Sequence, residues 1–239
     1  MRAISKKSDS FPCDWRVIFI SLSLFLFLPL FYGESTSFPL QTALNKDLLP
    51  TDELDRKVKD FLERRRYSWR DMNISEADGQ LLYDLIIKNN YTRALEIGTS
   101  TGHSAIWIAW ALSKTGGKLI TIEINERRYR QALKNFEEAG LSPYIEAILG
   151  DAHEIVPKLP GPFDFVFCDA DKEWYKNYLI ALLPKLVVGG CFTAHNVEGY
   201  RQWGIRDFLD YLRSLPNMET TIVRPSWTGI SISYKRSEK

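Results

Sequence analysis

Residues 94–109 have the sequence ALEIGTSTGHSAIWIA, and this stretch decides the fold class. ALEIG at its start predicts a short buried strand, and the apolar run over residues 103–113 predicts a buried helix. Between them, Gly98 and Gly102 let the backbone turn tightly and approach a ligand closely. A tight strand-to-helix turn without a ligand is the alternative explanation for the two glycines.

The same alternation of strand and helix continues towards the C-terminus. Further strands are predicted at residues 118–124, 144–152, 163–170, 191–197, 218–225 and 229–235. Strands that alternate with helices predict a mostly parallel sheet covered on both faces. The last two strands are too close together for a helical crossover and should be antiparallel. We therefore predict an α/β fold, a doubly wound Rossmann-like sheet that is mostly parallel with an antiparallel C-terminal strand.

Two helices are predicted before this alternation begins. Apolar residues recur at helical spacing at Leu54, Val58, Phe61 and Leu62. Ser75, with Asp78 three residues later, matches the capping box that opens a helix. Residues 34–50 are rich in Ser, Thr and Pro without periodicity and are predicted to be a linker. One folded domain then spans residues 51–239.

The overall composition excludes several classes of protein. The chain has 239 residues, 45% of them apolar and 26% charged, which is typical of a globular protein. A net charge of +1 gives no electrostatic footprint for nucleic acid, so no nucleic-acid partner is predicted. The three cysteines show neither a disulfide framework nor zinc-ligand spacing.

Residues 17–32 form an uncharged apolar segment near the N-terminus. Arg2, Lys6, Lys7 and Arg16 precede it, and a polar run at 33–37 follows. This pattern predicts a signal peptide or signal anchor at residues 1–33, although the segment is shorter than the ~20 residues that span a bilayer. The domain would then be exported or anchored to a membrane by residues 17–32. A wrongly assigned start codon, with a cytoplasmic domain, is the alternative.

Polar residues end the predicted strands, which is where doubly wound sheets bind ligands. Gly98 and Gly102 have the spacing G-x-x-x-G, which departs from the G-x-G-x-x-G of dinucleotide-binding folds. Glu123 ends the second strand, where an acid can accept both hydroxyls of a ribose. Asp151 ends the third strand, within reach of the base of the same nucleoside. These residues predict a nucleoside-bearing cofactor that needs no pyrophosphate.

A second group follows the next two strands. Asp169 ends one, and His195 and Asn196 end the other, so the three side chains should converge at one edge of the sheet. A carboxylate, an imidazole and an amide oxygen can hold a divalent ion. Lys172 lies beside this charge and is a candidate base. For each residue alone, helix capping or a turn is the competing explanation.

These motifs together resemble a known family. EIGTSTGHSAIWIA (96–109), TIE (121–123), GDA (150–152), FCDADKEWY (167–175) and GG-x-x-x-A-x-N (189–196) resemble the cation-dependent class I O-methyltransferases. This group contains the catechol and caffeoyl-coenzyme A O-methyltransferases, and the similarity covers about residues 72–234. It implies a methyltransferase domain at 51–239 that uses S-adenosylmethionine, and it allows a homodimer.

The resemblance also implies roles for individual residues. Lys172 would be the general base, and Asp169 would be both a catalytic residue and a metal ligand, together with Asn196. The cofactor site would comprise Met72, Glu96, Gly98, Ser100, Ser104, Glu123, Asp151, Ala152 and Asp169. Within it, Glu123 would bind the ribose, and Asp151 with Ala152 would bind the adenine edge.

His195 departs from the family pattern, which commonly has an acid at this position. An imidazole removes one negative charge and adds a softer donor, which weakens the case for Mg²⁺ and strengthens that for Mn²⁺, Zn²⁺ or Fe²⁺. The alternative is that the metal has been lost.

The expected activity is methyl transfer from S-adenosylmethionine to a hydroxyl of a small acceptor, an aromatic diol or a related compound. A nicotinamide-dependent oxidoreductase is a rival, but it would need the absent G-x-G-x-x-G motif. A protein that binds the cofactor without catalysis, or that works without metal, is the second rival.

Overall fold

The computed structural model describes residues 48–70, 72–198 and 203–238, which form an α/β domain. Its helices are α1 (Thr51–Arg65), α2 (Glu76–Asn89), α3 (His103–Thr115), α4 (Glu126–Ala139), α5 (Ala152–Ile155), α6 (Tyr175–Leu182) and α7 (Trp203–Ser214). Its strands are β1 (Arg93–Ile97), β2 (Lys118–Glu123), β3 (Ile145–Leu149), β4 (Phe163–Cys168), β5 (Leu186–His195), β6 (Met218–Val223) and β7 (Ile230–Lys235).

The strands form a single sheet in the order β3-β2-β1-β4-β5-β7-β6. Strands β3, β2, β1, β4 and β5 pair in parallel, whereas β7 pairs antiparallel with both β5 and β6. The predicted fold class, with its antiparallel strand near the C-terminus, is confirmed. The winding reverses between the neighbours β1 and β4, so their carboxyl ends lie side by side at the switch point.

Helices cover both faces of the sheet because strand and helix alternate along the chain. One core layer contains α1 to α4, and the other contains α6 and α7 with the segment after α5. Residues 103–112 of α3 are all buried, which explains why this helix is apolar on every side. By contrast, α4 buries only one stripe, including Ala132, Phe136 and Ala139.

The capping box predicted at Ser75 is present at the start of α2. The Ser75 hydroxyl accepts from the backbone N–H of Asp78, and the Asp78 carboxylate accepts from the Ser75 N–H and hydroxyl. Asp78 is only 1% exposed, because this exchange turns its side chain towards the protein interior.

The predicted signal segment, including residues 17–32, lies outside the described residues, as does the linker up to residue 47. Within the described ranges, no helix combines the length and the apolar character that crossing a bilayer requires.

Asp164 in β4 ties the start of its strand to the start of β1. Its Oδ2 accepts from the Thr92 N–H at 2.6 Å and the Thr92 hydroxyl at 3.1 Å, and its Oδ1 accepts from the Arg93 N–H at 2.8 Å. One carboxylate thereby satisfies two backbone donors ahead of the β1–β4 ladder. This anchor helps to hold the two central strands in register.

Replacing this anchor should destabilise the fold. We expect Asp164→Ala to lower the free energy of unfolding by about 1–3 kcal/mol, because two backbone N–H groups lose their acceptor. Urea unfolding followed by circular dichroism measures the change. Glu146→Ala, at an exposed acid of β3, is the control and should change stability by less than about 0.5 kcal/mol. Equal effects of the two variants would contradict the anchoring role.

Candidate functional site

A cavity of about 970 Å³ opens at the carboxyl ends of the parallel strands. Most of the residues predicted from the sequence line it together: Met72, Gly98, Ser100, Glu123, Asp151, Ala152, Asp169, Lys172, His195 and Asn196. The expected convergence of the residues at the ends of β4 and β5 is therefore observed. The loop between β6 and β7 contributes Ser226, Trp227 and Thr228 to the wall.

Gly98 permits the contact that closes the base of the site between β1 and β4. Its φ is +96°, and a Cβ atom there would lie 2.3 Å from the carbonyl oxygen of Asp169. The Asp169 N–H donates to the carbonyl of Ile97 at 2.9 Å. Only glycine allows the two loops to meet this closely, which explains the residue at position 98.

Glu123 presents a fixed carboxylate to the cavity. Its Oε2 accepts from the Ser100 N–H at 2.7 Å, and its Oε1 accepts from the Asn125 N–H at 2.8 Å. Ser100 adopts a left-handed φ of +51°, which aims its N–H at the carboxylate. Each oxygen has a second lone pair for a ligand hydroxyl, so the group suits a vicinal diol such as that of ribose.

Glu96 and Ser104 lie behind the glycine loop, and neither lies on the cavity wall. Alternation along β1 turns Glu96 towards the face covered by α3, where it is 0% exposed. The hydroxyls of Thr121 and Ser104 donate to its carboxyl group. Burial raises the pKa of Glu96 to about 8, so the group is neutral at pH 7. The sequence predicted that both residues line the cofactor site, whereas the structure shows them supporting the loop from below.

Lys172 and Asp169 form an ion pair in the loop that follows the carboxyl end of β4. The Lys172 ammonium group donates to Asp169 Oδ1 at 2.7 Å, to the Ala170 carbonyl at 3.1 Å and to the Tyr175 hydroxyl at 2.6 Å. The Tyr175 hydroxyl in turn donates to the carbonyl of His195 at 3.1 Å. The amine is therefore held in one position on the cavity wall.

His195 contacts Asp169 from the other side. Its Nδ1 lies 3.0 Å from Asp169 Oδ2, and its Nε2 lies 3.4 Å from Asp78 Oδ2. Burial disfavours the charged ring, but the two carboxylates outweigh it and raise the pKa of His195 to about 9. Burial likewise opposes ionisation of Asp169, yet Lys172 and His195 lower its pKa to about 2.

Asp78 is a site residue that sequence analysis missed. Its position in the capping box fully accounts for an acid there, and nothing near it in the sequence indicates a partner in β5. Only the fold brings α2 against the end of β5, where Asp78 lines the cavity beside His195.

Two of the three predicted metal ligands, Asp169 and His195, contact each other directly. Both oxygens of Asp169 are engaged, by Lys172 and His195. Within residues 48–70, 72–198 and 203–238, no group of three His, Cys, Asp or Glu side chains is arranged to hold a metal ion. Asp169, His195 and Asn196 all line the cavity, and a divalent ion held by these three side chains stays a prediction.

Aromatic side chains line one end of the cavity. His153 lies on its wall, with its ring 3.9 Å from that of Trp174 and close to that of Tyr178. Trp227 also lines the cavity and is 73% exposed. Trp203 lies at the start of α7 and is not part of the lining. Cys168 and Cys191 are buried.

The neutral carboxyl group of Glu96 should make stability depend on pH. The unfolded carboxyl group ionises above its ordinary pKa of 4.5, whereas the folded one keeps its proton up to about pH 8, so stability falls as pH rises between these values. A glutamine side chain does not ionise in this range, so Glu96→Gln should not lose stability in this way as the pH rises. The melting temperature of Glu96→Gln minus that of the unmodified protein should be greater at pH 8 than at pH 5 by about 7–14 °C, because the unmodified protein loses about 3.5 kcal/mol over this range.

Differential scanning fluorimetry without cofactor measures both melting temperatures at each pH. Glu146→Gln, at an exposed carboxylate, is the control and should show the same difference at the two pH values. A difference for Glu96→Gln that does not grow with pH would show that the folded carboxyl group is ionised.

Comparison with known proteins identifies the family. A family model described as O-methyltransferase matches residues 52–200. Caffeoyl-CoA O-methyltransferase 2 of Petunia hybrida is 35% identical over 164 residues, which cover 64% of this chain and 67% of the relative. Catechol O-methyltransferase of Niastella koreensis is 37% identical over 130 residues, covering 53% and 58%. The chain thus spans about two thirds of the plant relative's length and less of the bacterial one's.

Solved structures show the same architecture. The O-methyltransferase from Bacillus cereus, determined in complex with SAH, is 25% identical, with a TM-score of 0.66 over 82% of this chain and 96% of that one. TomG from Streptomyces achromogenes, determined in complex with SAM, is 27% identical, with a TM-score of 0.65 over 82% and 95%. Since the family model spans more than half of its residues, the chain belongs to the O-methyltransferase family.

Proposed function

We propose that this protein transfers a methyl group from S-adenosylmethionine to a hydroxyl group of a small aromatic diol. The observation that carries the proposal is that the fixed carboxylate of Glu123 and the paired Lys172 and Asp169 line the same cavity. The end of the cavity with Glu123 can hold a nucleoside, and the other end carries Lys172, which is able to accept a proton. The SAM and SAH complexes of the Streptomyces and Bacillus relatives support this choice of cofactor.

The cofactor would lie along the ends of β1, β2 and β3. Glu123 would accept hydrogen bonds from the ribose hydroxyls, and the backbone from Gly98 to Ser100 would pass beside the methionine part. At the adenine end, Asp151 caps α5 by accepting from the His153 N–H at 2.9 Å, which fixes the loop that carries Ala152. Met72, with an exposed side chain on the cavity wall, would cover the cofactor.

The chemical step needs a nucleophilic oxygen in line with the methyl–sulfur bond. Lys172, once its ammonium group beside Asp169 has released a proton to solvent, takes the proton of the acceptor hydroxyl. The oxygen then forms a bond to the methyl carbon while the carbon–sulfur bond breaks, and S-adenosylhomocysteine leaves. Much of the rate comes from holding the two reactants in contact within the cavity. When Lys172 is neutral, His195 still neutralises the charge of Asp169.

An aromatic acceptor suits the wall that faces this end of the cavity. Trp227, on the β6–β7 loop, is an exposed aromatic residue of the same cavity that His195 and Thr228 line. Stacking on such a face favours planar rings. The names of the catechol and caffeoyl-CoA relatives agree with an acceptor that carries adjacent aromatic hydroxyls.

Removing the base should abolish turnover and leave cofactor binding intact. We expect Lys172→Ala to lower kcat by about 10²–10⁴-fold, the usual contribution of a general base. Methyl transfer from labelled S-adenosylmethionine to a panel of catechols measures kcat, and calorimetry with S-adenosylhomocysteine measures binding. Lys176→Ala is the matched control, because Lys176 pairs with Asp207 at 3.1 Å and lies outside the cavity lining.

Full activity of Lys172→Ala would remove the proposed base. If no catechol is methylated by the unmodified protein while S-adenosylhomocysteine still binds, the proposed acceptor class is wrong, and the second rival, a binding protein without catalysis, gains support.

The ribose contact can be tested separately. Glu123→Gln leaves one acceptor oxygen and turns an NH₂ group towards a backbone N–H, so it disturbs the carboxylate position as well as its charge. We expect the Kd for S-adenosylhomocysteine to rise by about tenfold or more, equivalent to about 1.4 kcal/mol. Glu126→Gln, at an exposed acid that pairs with Arg130, is the control. Unchanged affinity in Glu123→Gln would exclude the ribose contact.

A further inference from the structure

We propose that His103 is a positioning residue for the cofactor, because its ring ties the segment of residues 72–75 to the start of α3. All four residues of this segment line the cavity, and they lie directly ahead of α2. The loop before α3 places Gly98 and Ser100 on the wall of the same cavity. The effect on binding rests on the cofactor of the proposed function, whereas the tie itself rests on contacts between described residues.

The His103 ring has a partner at each nitrogen. Its Nδ1 lies 3.0 Å from the carbonyl oxygen of Ile74, and its Nε2 lies 3.2 Å from the indole nitrogen of Trp107. An indole N–H only donates, so Nε2 is the acceptor and Nδ1 carries the single proton of the neutral ring. His103 therefore donates to the main chain of Ile74, inside the segment 72–75.

The surroundings of His103 favour this neutral, fixed ring. The side chain is buried, and burial lowers the pKa of His103 to about 4, so the ring is uncharged at pH 7. Trp69 stacks on it, with ring centroids 4.4 Å apart and planes 13° apart. Stacking and two hydrogen bonds together hold the ring in one orientation.

A second contact joins the segment 72–75 to the same loop. Asn73 Nδ2 donates to the Thr101 hydroxyl at 2.9 Å, next to the bond between His103 and Ile74. Met72, the following residue towards the N-terminus, has a left-handed φ of +57° and an exposed side chain on the cavity wall. Because His103 fixes the main chain two residues away, it sets where this wall stands relative to the cofactor.

Two substitutions separate the hydrogen bond from the packing of the ring. His103→Phe keeps an aromatic ring against Trp69 but has no donor for Ile74. His103→Asn loses the ring, but its amide NH₂ can take the place of Nδ1 and donate to the same carbonyl. Stability should follow the packing, so thermal unfolding should show the Asn variant to be the less stable of the two.

Cofactor affinity should rank the two variants in the opposite order. Calorimetry with S-adenosylhomocysteine measures Kd on the full-length protein without an acceptor. We expect His103→Phe to raise Kd by about fivefold or more, and His103→Asn by less than about threefold. In turnover, His103→Phe should raise the KM for S-adenosylmethionine while kcat stays within about threefold, since Lys172 and Asp169 are unchanged.

Hydrogen exchange on the cofactor-free proteins tests the tie directly. Peptides that contain residues 72–75 should exchange faster in His103→Phe than in the unmodified protein, and less so in His103→Asn. Unchanged exchange and unchanged Kd in His103→Phe would overturn the proposal, as would affinities that simply follow the stabilities of the two variants.

Failure of the proposed function gives a different result. If the unmodified protein does not bind S-adenosylhomocysteine, the proposed cofactor is wrong, and exchange at residues 72–75 still decides whether His103 holds this segment. If His103→Phe does not fold, His103→Leu, which also lacks a donor, replaces it. If His103→Asn does not fold, the exchange and the separate effects of His103→Phe on KM and kcat decide.

Discussion

The site depends on the close contact between β1 and β4 at the switch point of the sheet. The carbonyl oxygen of Asp169 lies where a Cβ of residue 98 would be, and the Asp169 N–H is bonded to Ile97. This contact places the loop after β1 and the loop after β4 on the same cavity wall. A cofactor held by the first loop therefore lies against the groups presented by the second.

Three carboxyl groups lie around this contact, those of Glu96, Glu123 and Asp169. Each has a different environment. Glu96 is buried beneath the loop and keeps its proton, because burial and the nearby charges of Asp169 and Glu123 raise its pKa. Glu123 accepts hydrogen bonds from two backbone N–H groups. Asp169 is ionised between two cationic side chains. Full ionisation of three adjacent acids would cost several kcal/mol, so the neutral state of Glu96 limits the repulsion.

Much of the site could be predicted from the sequence because doubly wound sheets place ligands at strand ends. Glu123, Asp151, Asp169 and His195 each follow or end a parallel strand, and the cavity brings them together. Two features could not be predicted. Alternation along β1 turns Glu96 away from the cavity, although its motif places it among the cofactor residues. Asp78 lies on α2 and contacts His195 at the site. Its role in the capping box already explains an acid at this position, so the sequence gives no indication of the distant contact.

The position of His195 in the sequence identified a departure from the family pattern, but its consequence depended on contacts in three dimensions. A histidine at the end of β5 is compatible with a softer metal ligand, a lost metal site or an ion pair. In the structure the ring lies between two carboxylates, with Nδ1 3.0 Å from Asp169 Oδ2 and Nε2 3.4 Å from Asp78 Oδ2. Asp78 is therefore as important to the charge of the site as His195 itself. Because α2 carries Asp78 and β5 carries His195, the charge of the acceptor end depends on how these two elements pack, as well as on the residues of the strand ends.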